Sequence, residues 1–371
     1  MTPDYRITDT SEIVTPALLV FRRIVEDNLQ AMLKIAGDAA RLRPHCKTHK
    51  MPAVTKLQLE LGITKHKCAT LAEAEMLADA GAKDILLAYN IVGANIARVA
   101  RFAEKFPDVN FMVTADHPGP VKQLSECTRA AGVSVGMMID IDSGMHRTGI
   151  APGENAVALY RQIASSPGLR PAGIHAYDGH HHQRDIDERR ANIDRDWQQV
   201  IELRDQLVAA GLPVPRLVAS GTPGFPVHAR RDEPHLELSP GTTVFHDAGS
   251  VANFPDLAFT PAALVLTRVV SLPDDRLVTF DVGSKGIASD PPVNKRVDFP
   301  NLPDAEVVSQ NEEHLIVRTS RSSEFAPGDE QLVIPWHICP TCALHKEAHV
   351  IVDGEVQERW PVTARDRQLS I

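Results

Sequence analysis

The chain has 371 residues, of which 43% are hydrophobic and 23% charged, which is typical of a globular protein long enough for a barrel and a second domain. Its net charge of −9 is spread along the sequence without a basic stripe, so we expect no nucleic acid partner. No apolar segment is long enough to cross a membrane, residues 1–11 contain no apolar signal region, and the five cysteines form no even framework. We therefore expect a cytoplasmic protein without a membrane partner.

In the first two thirds of the chain, short apolar runs rich in β-forming residues alternate with helical patterns. Thr70 and Glu73 form a capping box before a predicted helix over Leu71–Ala80, and Gly81 ends that helix. The runs predicted as strands are Leu42–Lys47, His66–Ala69, Ile85–Tyr89, Phe111–Thr114, Val133–Ile141, Gly173–Tyr177, Leu217–Ser220 and Thr243–Phe245. Eight strands separated by helices predict an α/β fold, a (β/α)8 TIM-type barrel, over residues 15–257.

From residue 258 onward the pattern changes to alternating runs separated by turns, with no long helix. The predicted strands there are Ala263–Val270, Arg276–Asp281, His314–Arg318, Gln331–Ile334 and Ala348–Val352. This pattern predicts a C-terminal antiparallel β domain over residues 258–371, joined by residues 1–14.

The segment from Arg43 to Lys50 contains an unusual density of amines and imidazoles. A lysine becomes a nucleophile toward carbonyl carbon when burial or neighbouring cations favour its neutral amine. Lys47 lies among Arg43, His45, His49 and Lys50, so it is the candidate Schiff-base lysine. A solvated basic loop is the alternative interpretation.

Other polar clusters also follow predicted strands, where barrel enzymes place their chemistry. One turn, residues 140–149, contains Arg147, and another, residues 175–182, contains Tyr177. Two segments rich in Gly, Ser and Thr, residues 220–224 and 239–243, could surround a phosphate with backbone N–H groups and hydroxyls. Each of these segments is also compatible with an ordinary turn.

Near the C-terminus, His337 and Cys339 are two residues apart. In an extended strand both side chains would point to the same face, where they could bind a borderline ion such as zinc. A redox pair of Cys339 with Cys342, a structural zinc ribbon and buried structural side chains are the alternatives. His180–His182 with Asp178 forms a rival metal site.

Taken together, the segments RPHCKTHK, SGMHRTG, AYDGH, SGTPG, PGTTVF and PWHICPT resemble the fold-type III, alanine racemase-like enzymes. Within them, the chain is similar to the D-threonine aldolase and D-serine dehydratase group, which combines pyridoxal 5'-phosphate with a divalent metal. The resemblance implies Lys47 as the Schiff-base lysine, Arg147 near the cofactor's phenolic oxygen and Tyr177 near its pyridine nitrogen. It further implies a phosphate site formed by Ser220, Gly221, Thr222, Gly241 and Thr242. It implies His337 and Cys339 as the metal ligands.

The resemblance implies a lyase that acts on D-β-hydroxy-α-amino acids. Retro-aldol cleavage to glycine and an aldehyde is favoured by the overall sequence, whereas the pairing of His337 with Cys339 is more typical of the dehydratases, which release ammonia and a 2-oxo acid. His45, His49 and a water on the metal remain alternatives for the base, and Mn, Zn, Mg and Co for the ion. A racemase of the usual kind would require a tyrosine in the β domain, and residues 258–371 contain none, since the four tyrosines are at positions 5, 89, 160 and 177. A non-catalytic cofactor-binding protein is a further alternative, and a homodimer is expected by analogy.

Overall fold

A computed structural model describes residues 5–371, so residues 1–4 of the segment assigned to the β domain lie outside the described part. The first eight strands are β1 Ala17–Phe21, β2 Lys65–Cys68, β3 Asp84–Asn90, β4 Asn110–Ala115, β5 Val135–Ile141, β6 Leu169–Ala176, β7 Leu217–Ala219 and β8 Leu236–Leu238. The others are β9 Ala263–Asp274, β10 Leu277–Phe280, β11 Val297–Asp298, β12 Glu306–Gln310, β13 Leu315–Arg318, β14 Glu330–Pro335, β15 Glu347–Val352 and β16 Glu355–Pro361.

Helices separate most of the parallel strands. They are α1 Arg22–Ala36, α2 Pro52–Glu60, α3 Leu71–Asp79, α4 Asn95–Lys105, α5 Pro118–Ala131, α6 Glu154–Ser165, α7 Ile186–Ala209, α8 Phe225–Ala229, α9 Ala248–Asn253 and α10 Ile338–Leu344. The predicted cap of α3 is present, because Glu73 N donates to Thr70 Oγ1 at 3.1 Å. Among residues 5–371, no helix is long and apolar enough to cross a membrane.

The described chain divides into two compact units. The first, called here the barrel unit, comprises residues 32–47, 52–241 and 367–371. The second, the β unit, comprises residues 5–31, 48–51 and 242–366. The domain boundaries at residues 15 and 258 remain a prediction.

In the barrel unit, strands β2 to β8 form a parallel sheet in sequence order, as predicted for the α/β barrel class. The segment around Pro44 joins the two edges of this sheet, since Leu42 bridges Leu238 in β8 and His45 bridges Lys67 in β2. This segment therefore occupies the first strand position of the barrel. It forms only isolated bridges, and Pro44 has no N–H group for a regular ladder.

The eighth strand was predicted in the wrong place. Thr243–Phe245 is not a strand, because residues Thr242–Val244 form a 3-10 helix, and the last parallel strand is β8 instead. Glu237 makes β8 difficult to recognise, since it places a charge in the middle of a buried strand. In the structure this charge is neutralised by Arg43 at 2.5 Å and by Lys65 at 2.9 Å.

The core of the barrel unit is built by side chains on successive strands. Leu86, Met112, Met138, Ala172 and Val218 form one buried cluster from β3 to β7. Alternate residues of a strand point to the same face of the sheet. Each of these five strands therefore contributes one apolar side chain to the same layer. This rigid sheet fixes the positions of the residues at its carboxyl edge.

In the β unit, the sheet runs in the order β12-β13-β10-β9-β1-β15-β16, with β14 beside β9 and β11 beside β14. The pairs are antiparallel, as predicted, except that β1 is parallel to β15. The buried core cluster of this sheet comprises Ile13, Ala17, Leu19, Phe21, Leu264, Leu266, Leu332 and Ile351. A short helix, α10, follows β14 and begins directly after His337.

Candidate active site

A cavity of about 470 Å³ lies at the carboxyl edge of the parallel sheet in the barrel unit. The residues that line it are His45, Lys47, Ala69, Ala88, Tyr89, Asn90, Val92, Asp140, Ile141, Asp142, Met145, Arg147, Thr148, His175 and Tyr177. Its volume is in the range of small-molecule sites, and this edge is where barrel enzymes bind their substrates. The structure thus brings together Lys47, His45, Arg147 and Tyr177, which come from three separate sequence segments.

Three cationic side chains surround the ring of Tyr177. Lys47 Nζ lies 5.9 Å from the ring centroid, Lys67 Nζ lies 6.0 Å from it, and Arg147 Cζ lies 4.8 Å from it. Cations are attracted to the face of an aromatic ring at such distances. Lys47 and Arg147 line the cavity beside Asp140 and Asp142, and their charges could pair with an anionic group of a ligand.

Lys67 is a member of this group that sequence reasoning missed. Its side chain is buried in β2, and burial together with the nearby Lys47 charge lowers its pKa to about 7. A lysine in the middle of a predicted strand, between His66 and Cys68, was the signal available in the sequence. Its position beside Tyr177 depends on the register of β2 relative to the 42–47 segment, where Lys67 bridges His45.

A buried acid and imidazole form a second group that sequence reasoning missed. His175 Nδ1 lies 2.7 Å from Asp140 Oδ1, and Asn90 Nδ2 donates to Asp140 Oδ2 at 3.2 Å. Burial raises the pKa of Asp140, but the hydrogen bonds from His175, Thr148 and Asn90 outweigh it and hold that pKa below its usual value. Burial lowers the pKa of His175. The pair is therefore best described as a carboxylate that accepts a hydrogen bond from the Nδ1–H of neutral His175, which leaves Nε2 as the basic atom.

The two predicted catalytic histidines differ in their surroundings. His45 lines the cavity, and its Nδ1 accepts the backbone N–H of Lys47 at 3.2 Å. The proton of neutral His45 is then on Nε2. His49 does not line the cavity; it is buried in the β unit, where its Nδ1 lies 3.1 Å from the backbone N of Met51 and its ring packs against Phe245.

The predicted phosphate segment at Ser220 has a special backbone. Ser220 adopts a positive φ of 74°, is fully buried, and its Oγ has no hydrogen-bond partner among residues 5–371. A buried hydroxyl without a partner is costly, so it marks a position where a ligand atom fits. Gly221 lies against Tyr177, since a Cβ at this position would stand 2.9 Å from the ring carbon Cε2.

Asp178 stabilises the segment around Ser220 and Gly221 through hydrogen bonds. It accepts a hydrogen bond from Gly221 N at 2.8 Å, and its other oxygen lies 2.8 Å from His228 Nε2. These hydrogen bonds hold the pKa of Asp178 below its usual value, although burial alone raises it. The N–H of Gly221 is thus already used within the protein.

The remaining predicted phosphate residues lie in both units. In the barrel unit, Gly241 N donates to Thr222 Oγ1 at 3.3 Å. In the β unit, Thr242 begins the 3-10 helix, and its Oγ1 lies 3.9 Å from Cys339 Sγ.

The predicted metal pair is at the start of a helix rather than in an extended strand. His337 is the N-cap of α10, and Cys339 lies in its first turn. The two side chains are nevertheless in contact through a hydrogen bond. Burial lowers the pKa of His337, but this hydrogen bond, the charge of Cys339 and the carboxylate of Asp290, 2.6 Å from Nδ1, raise the pKa to about 9. Thr48 Oγ1 also lies 3.1 Å from Cys339 Sγ. The pair therefore presents nitrogen and sulfur ligands close together.

Two alternatives for the predicted metal chemistry can be compared with the structure. Cys342 is buried, and burial raises its pKa well above the usual value, which disfavours a thiolate and a redox pair with Cys339. In the rival histidine cluster, His182 is exposed, whereas His180 and His181 face Asp196 of α7 instead of the predicted Asp178.

The chain matches two family models, that of the alanine racemase N-terminal domain over residues 22–248 and that of a serine dehydratase domain over residues 262–351. It is 30% identical to a D-threonine aldolase of Arthrobacter sp, over 96% of this chain and 93% of that protein. It is also 30% identical to a 3-hydroxy-D-aspartate aldolase of Paracoccus denitrificans, over 97% and 94%. A crystal structure of a D-threonine aldolase from Filomicrobium marinum is 32% identical and superimposes with a TM-score of 0.88, covering 95% of each chain.

Proposed function

This chain belongs to the alanine racemase-like family that includes D-threonine aldolases, and we propose that it is a pyridoxal-phosphate-dependent carbon–carbon lyase of D-β-hydroxy-α-amino acids. The proposed reaction is retro-aldol cleavage to glycine and an aldehyde. The single observation that supports it most directly is the cavity at the carboxyl edge of the barrel, which unites Lys47, Arg147 and Tyr177 in a chain similar to aldolases over nearly its full length.

The residues of the barrel unit fit a cofactor with a phosphate and an aromatic ring. The partnerless hydroxyl of Ser220 suits a phosphate oxygen, and the positive charges of Lys47, Lys67 and Arg147 suit an anion. Pyridoxal 5'-phosphate would be held covalently by Lys47, and it supplies an electron sink for the charge left at Cα when a bond to that carbon breaks. Arg147 would lie near its phenolic oxygen and Tyr177 near its ring nitrogen.

Thr222, Gly241 and Thr242 are proposed to complete the phosphate site with Ser220 and Gly221. Hydroxyls and backbone N–H groups are its expected donors. Because the N–H of Gly221 donates to Asp178, the contribution of Gly221 would be its lack of a side chain beside Tyr177.

Proton transfer in the cavity would use imidazoles of defined tautomer. The Nδ1–H of His175 donates to Asp140, so His175 would accept a proton at Nε2. His45 accepts the Lys47 N–H at Nδ1, so its Nε2–H would donate a hydrogen bond to a substrate or cofactor oxygen. Asp140 would stabilise the imidazolium of His175 after the transfer, because the carboxylate stays ionised beside it.

His337 and Cys339 are the proposed ligands of a divalent ion. A histidine nitrogen and a thiolate suit zinc and other borderline ions, whereas hard ions such as Mg²⁺ prefer oxygen ligands. Such an ion supplies a Lewis acid for the β-hydroxyl of the substrate. Asp290, which accepts from His337 Nδ1, would orient the imidazole so that Nε2 faces the ion.

Dehydration to a 2-oxo acid and ammonia is the second candidate function. The match of residues 262–351 to a serine dehydratase domain favours it, as does the sulfur ligand in that segment. Dehydration removes the Cα proton and expels the β-hydroxyl with the electron pair of its C–O bond. The reaction therefore requires a base close to Cα.

The deciding experiment is product analysis by NMR. The purified protein is incubated with pyridoxal phosphate and manganese or zinc, and with D-threonine or D-serine. Glycine and acetaldehyde from D-threonine are the expected products, whereas ammonia and a 2-oxo acid would establish the dehydratase. L-threonine is the stereochemical control, and the Lys47→Ala protein is the control for the site. No turnover of either D-amino acid by the cofactor- and metal-loaded protein would refute the proposal.

Two further proposals concern assembly and location. We propose a homodimer, by analogy with fold-type III enzymes, which light scattering on a size-exclusion column would test. We also propose a cytoplasmic location, supported by the five cysteines, which form no disulfide within residues 5–371.

A further inference from the structure

Besides the His337–Cys339 pair, two groups of three metal-ligand side chains occur in the described chain. In the first, His45, Cys46 and Glu73, the side chains already bond within the protein: Glu73 Oε2 accepts Ala69 N at 2.7 Å and lies 3.6 Å from Cys46 Sγ. The second group comprises His180, His181 and Asp196, whose ligand atoms all lie within 4.8 Å of one another. Unlike the first group, the second contains a buried ligand atom, His181 Nε2, without a hydrogen-bond partner in residues 5–371.

The chain folds so that two adjacent histidines face one carboxylate. His180 and His181 are in the loop after β6, and Asp196 is in α7, about three turns from the start of that helix at Ile186. The two imidazole rings are close, with centroids 4.0 Å apart and planes inclined by 40°. Adjacent residues on a loop seldom converge in this way, and here they do so because α7 supplies the third side chain.

The distances in this group are those of a coordination sphere. His180 Nε2 lies 3.2 Å from Asp196 Oδ2, and His181 Nε2 lies 3.1 Å from the same oxygen. Around a tetrahedral zinc with bonds of about 2.0–2.1 Å, ligand atoms are about 3.3 Å apart. Arg195 Nε donates to Asp196 Oδ1 at 3.2 Å, which leaves Oδ2 as the oxygen that faces the histidines.

A hydrogen bond accounts for the position of His180, whose Nε2 lies 3.2 Å from Asp196 Oδ2, but not for that of His181. His181 is only 3% exposed, and its Nε2 is buried without a hydrogen-bond partner in residues 5–371, although Asp196 Oδ2 is 3.1 Å away. The nitrogen is therefore close to the carboxylate but is not aligned with it. In a metal site each ligand points at the ion rather than at its neighbour, so this misalignment is expected there.

One side of the group is left open by a glycine. A Cβ on Gly144 would stand 3.3 Å from His180 Nε2 and 3.6 Å from Asp196 Oδ2. Without that side chain, a water or another small ligand has room beside both atoms. Two imidazoles and one carboxylate with an open position form a common ligand set for zinc.

We propose that His180, His181 and Asp196 bind a second divalent cation of the zinc type, separate from the ion proposed at His337 and Cys339. The ion joins the loop after β6 to α7. That loop begins with Tyr177 and Asp178, so the second ion stabilises the segment that carries the ring of Tyr177 in the cavity. The site requires neither the cofactor nor turnover.

The test is zinc content per chain, measured by mass spectrometry on the holoenzyme after zinc loading and removal of unbound ion. We expect two zinc ions in the wild type and one in His181→Ala and in Asp196→Asn. His182→Ala is the matched control, because it removes the adjacent exposed imidazole and should keep both ions. Asp196→Asn preserves the shape of the side chain, and circular dichroism with the visible absorption of the cofactor verifies that each variant is folded.

A comparison with Cys339→Ala separates this proposal from the proposed function. Loss of one ion in Cys339→Ala and of the other in His181→Ala supports two independent sites. Zinc content unchanged from wild type in both His181→Ala and Asp196→Asn overturns the second site, and the lyase proposal then still depends only on its products. One ion per chain that persists in Cys339→Ala but is lost in His181→Ala supports the second site and contradicts the metal role of Cys339.

Discussion

Replacing Lys67 with methionine should stabilise the cofactor-free protein, and the gain should depend on pH. Lys67 is 2% exposed, and burial is the largest cause that lowers its pKa from 10.5 to about 7. Methionine has a similar length and no charge, so the folded state of Lys67→Met avoids the cost of a buried ammonium.

The magnitude follows from proton linkage. The pKa of Lys67 is 10.5 in the unfolded chain and about 7 in the folded one. This difference lowers the free energy of unfolding of the wild type by about 4 kcal/mol at pH 7 and by about 2 kcal/mol at pH 9, relative to a chain without this amine. The unfolded state binds more protons in this interval, so the stability of the wild type rises with pH. The advantage of Lys67→Met should therefore shrink by about 2 kcal/mol between pH 7 and pH 9.

The assay is urea unfolding of the two proteins, followed by circular dichroism at pH 7, 8 and 9. A change in packing adds the same offset at every pH, so the trend with pH isolates the buried charge. Lys65→Met is the matched control on the same strand; it should destabilise the protein, because Lys65 pairs with Glu237 at 2.9 Å. A difference between Lys67→Met and wild type that stays constant from pH 7 to pH 9 would refute the argument.

Three further predictions concern the proposed site. Lys47→Ala should abolish the borohydride-reducible cofactor adduct and lower kcat by at least about 10³-fold, and an adduct retained at the same site would show that Lys47 is not the attachment point. His337→Ala and Cys339→Ala, or thorough chelation of the wild type, should remove activity and leave the cofactor spectrum unchanged; full activity after chelation would contradict the metal role. Asp178→Asn should lower the free energy of unfolding by about 1–3 kcal/mol, because the amide cannot accept from both Gly221 and His228, and an unchanged urea midpoint would contradict this.

The strands that were predicted correctly are those with continuous apolar runs. Runs such as Phe111–Thr114 and Leu217–Ser220 are buried on both faces of a parallel sheet, so composition alone identifies them. The strand Leu236–Leu238 was missed because Glu237 interrupts it, and its charge is tolerated only through Arg43 and Lys65, which are distant in sequence. The prediction of Thr243–Phe245 as a strand followed the same rule of local composition, and the tertiary structure overrode it.

Residues of the candidate site could be predicted where the reactive or charged side chains lie close together in one sequence segment. Lys47, Arg147 and Tyr177 stood out because charged or aromatic residues followed predicted strands, and the structure brings all three to the cavity. Asp140 and His175 could not be paired from the sequence, since the 2.7 Å contact depends on the register between β5 and β6. Likewise, Asp196 lies in a helix with many exposed charges, and only the fold shows that it faces two histidines.

The cationic side chains around Tyr177 relate the stability of the folded protein to the binding of its proposed anionic ligand. Lys47, Lys67 and Arg147 lie within about 6 Å of one ring centroid in a chain whose net charge is −9. Burial and the nearby charge of Lys47 destabilise the Lys67 cation, as its lowered pKa indicates. A bound phosphate or carboxylate would attract the Lys67 charge, so binding would offset part of the free energy of unfolding that is lost through burial of this charge. The stability lost at Lys67 would therefore contribute to the affinity for the proposed anionic cofactor and amino acid substrate.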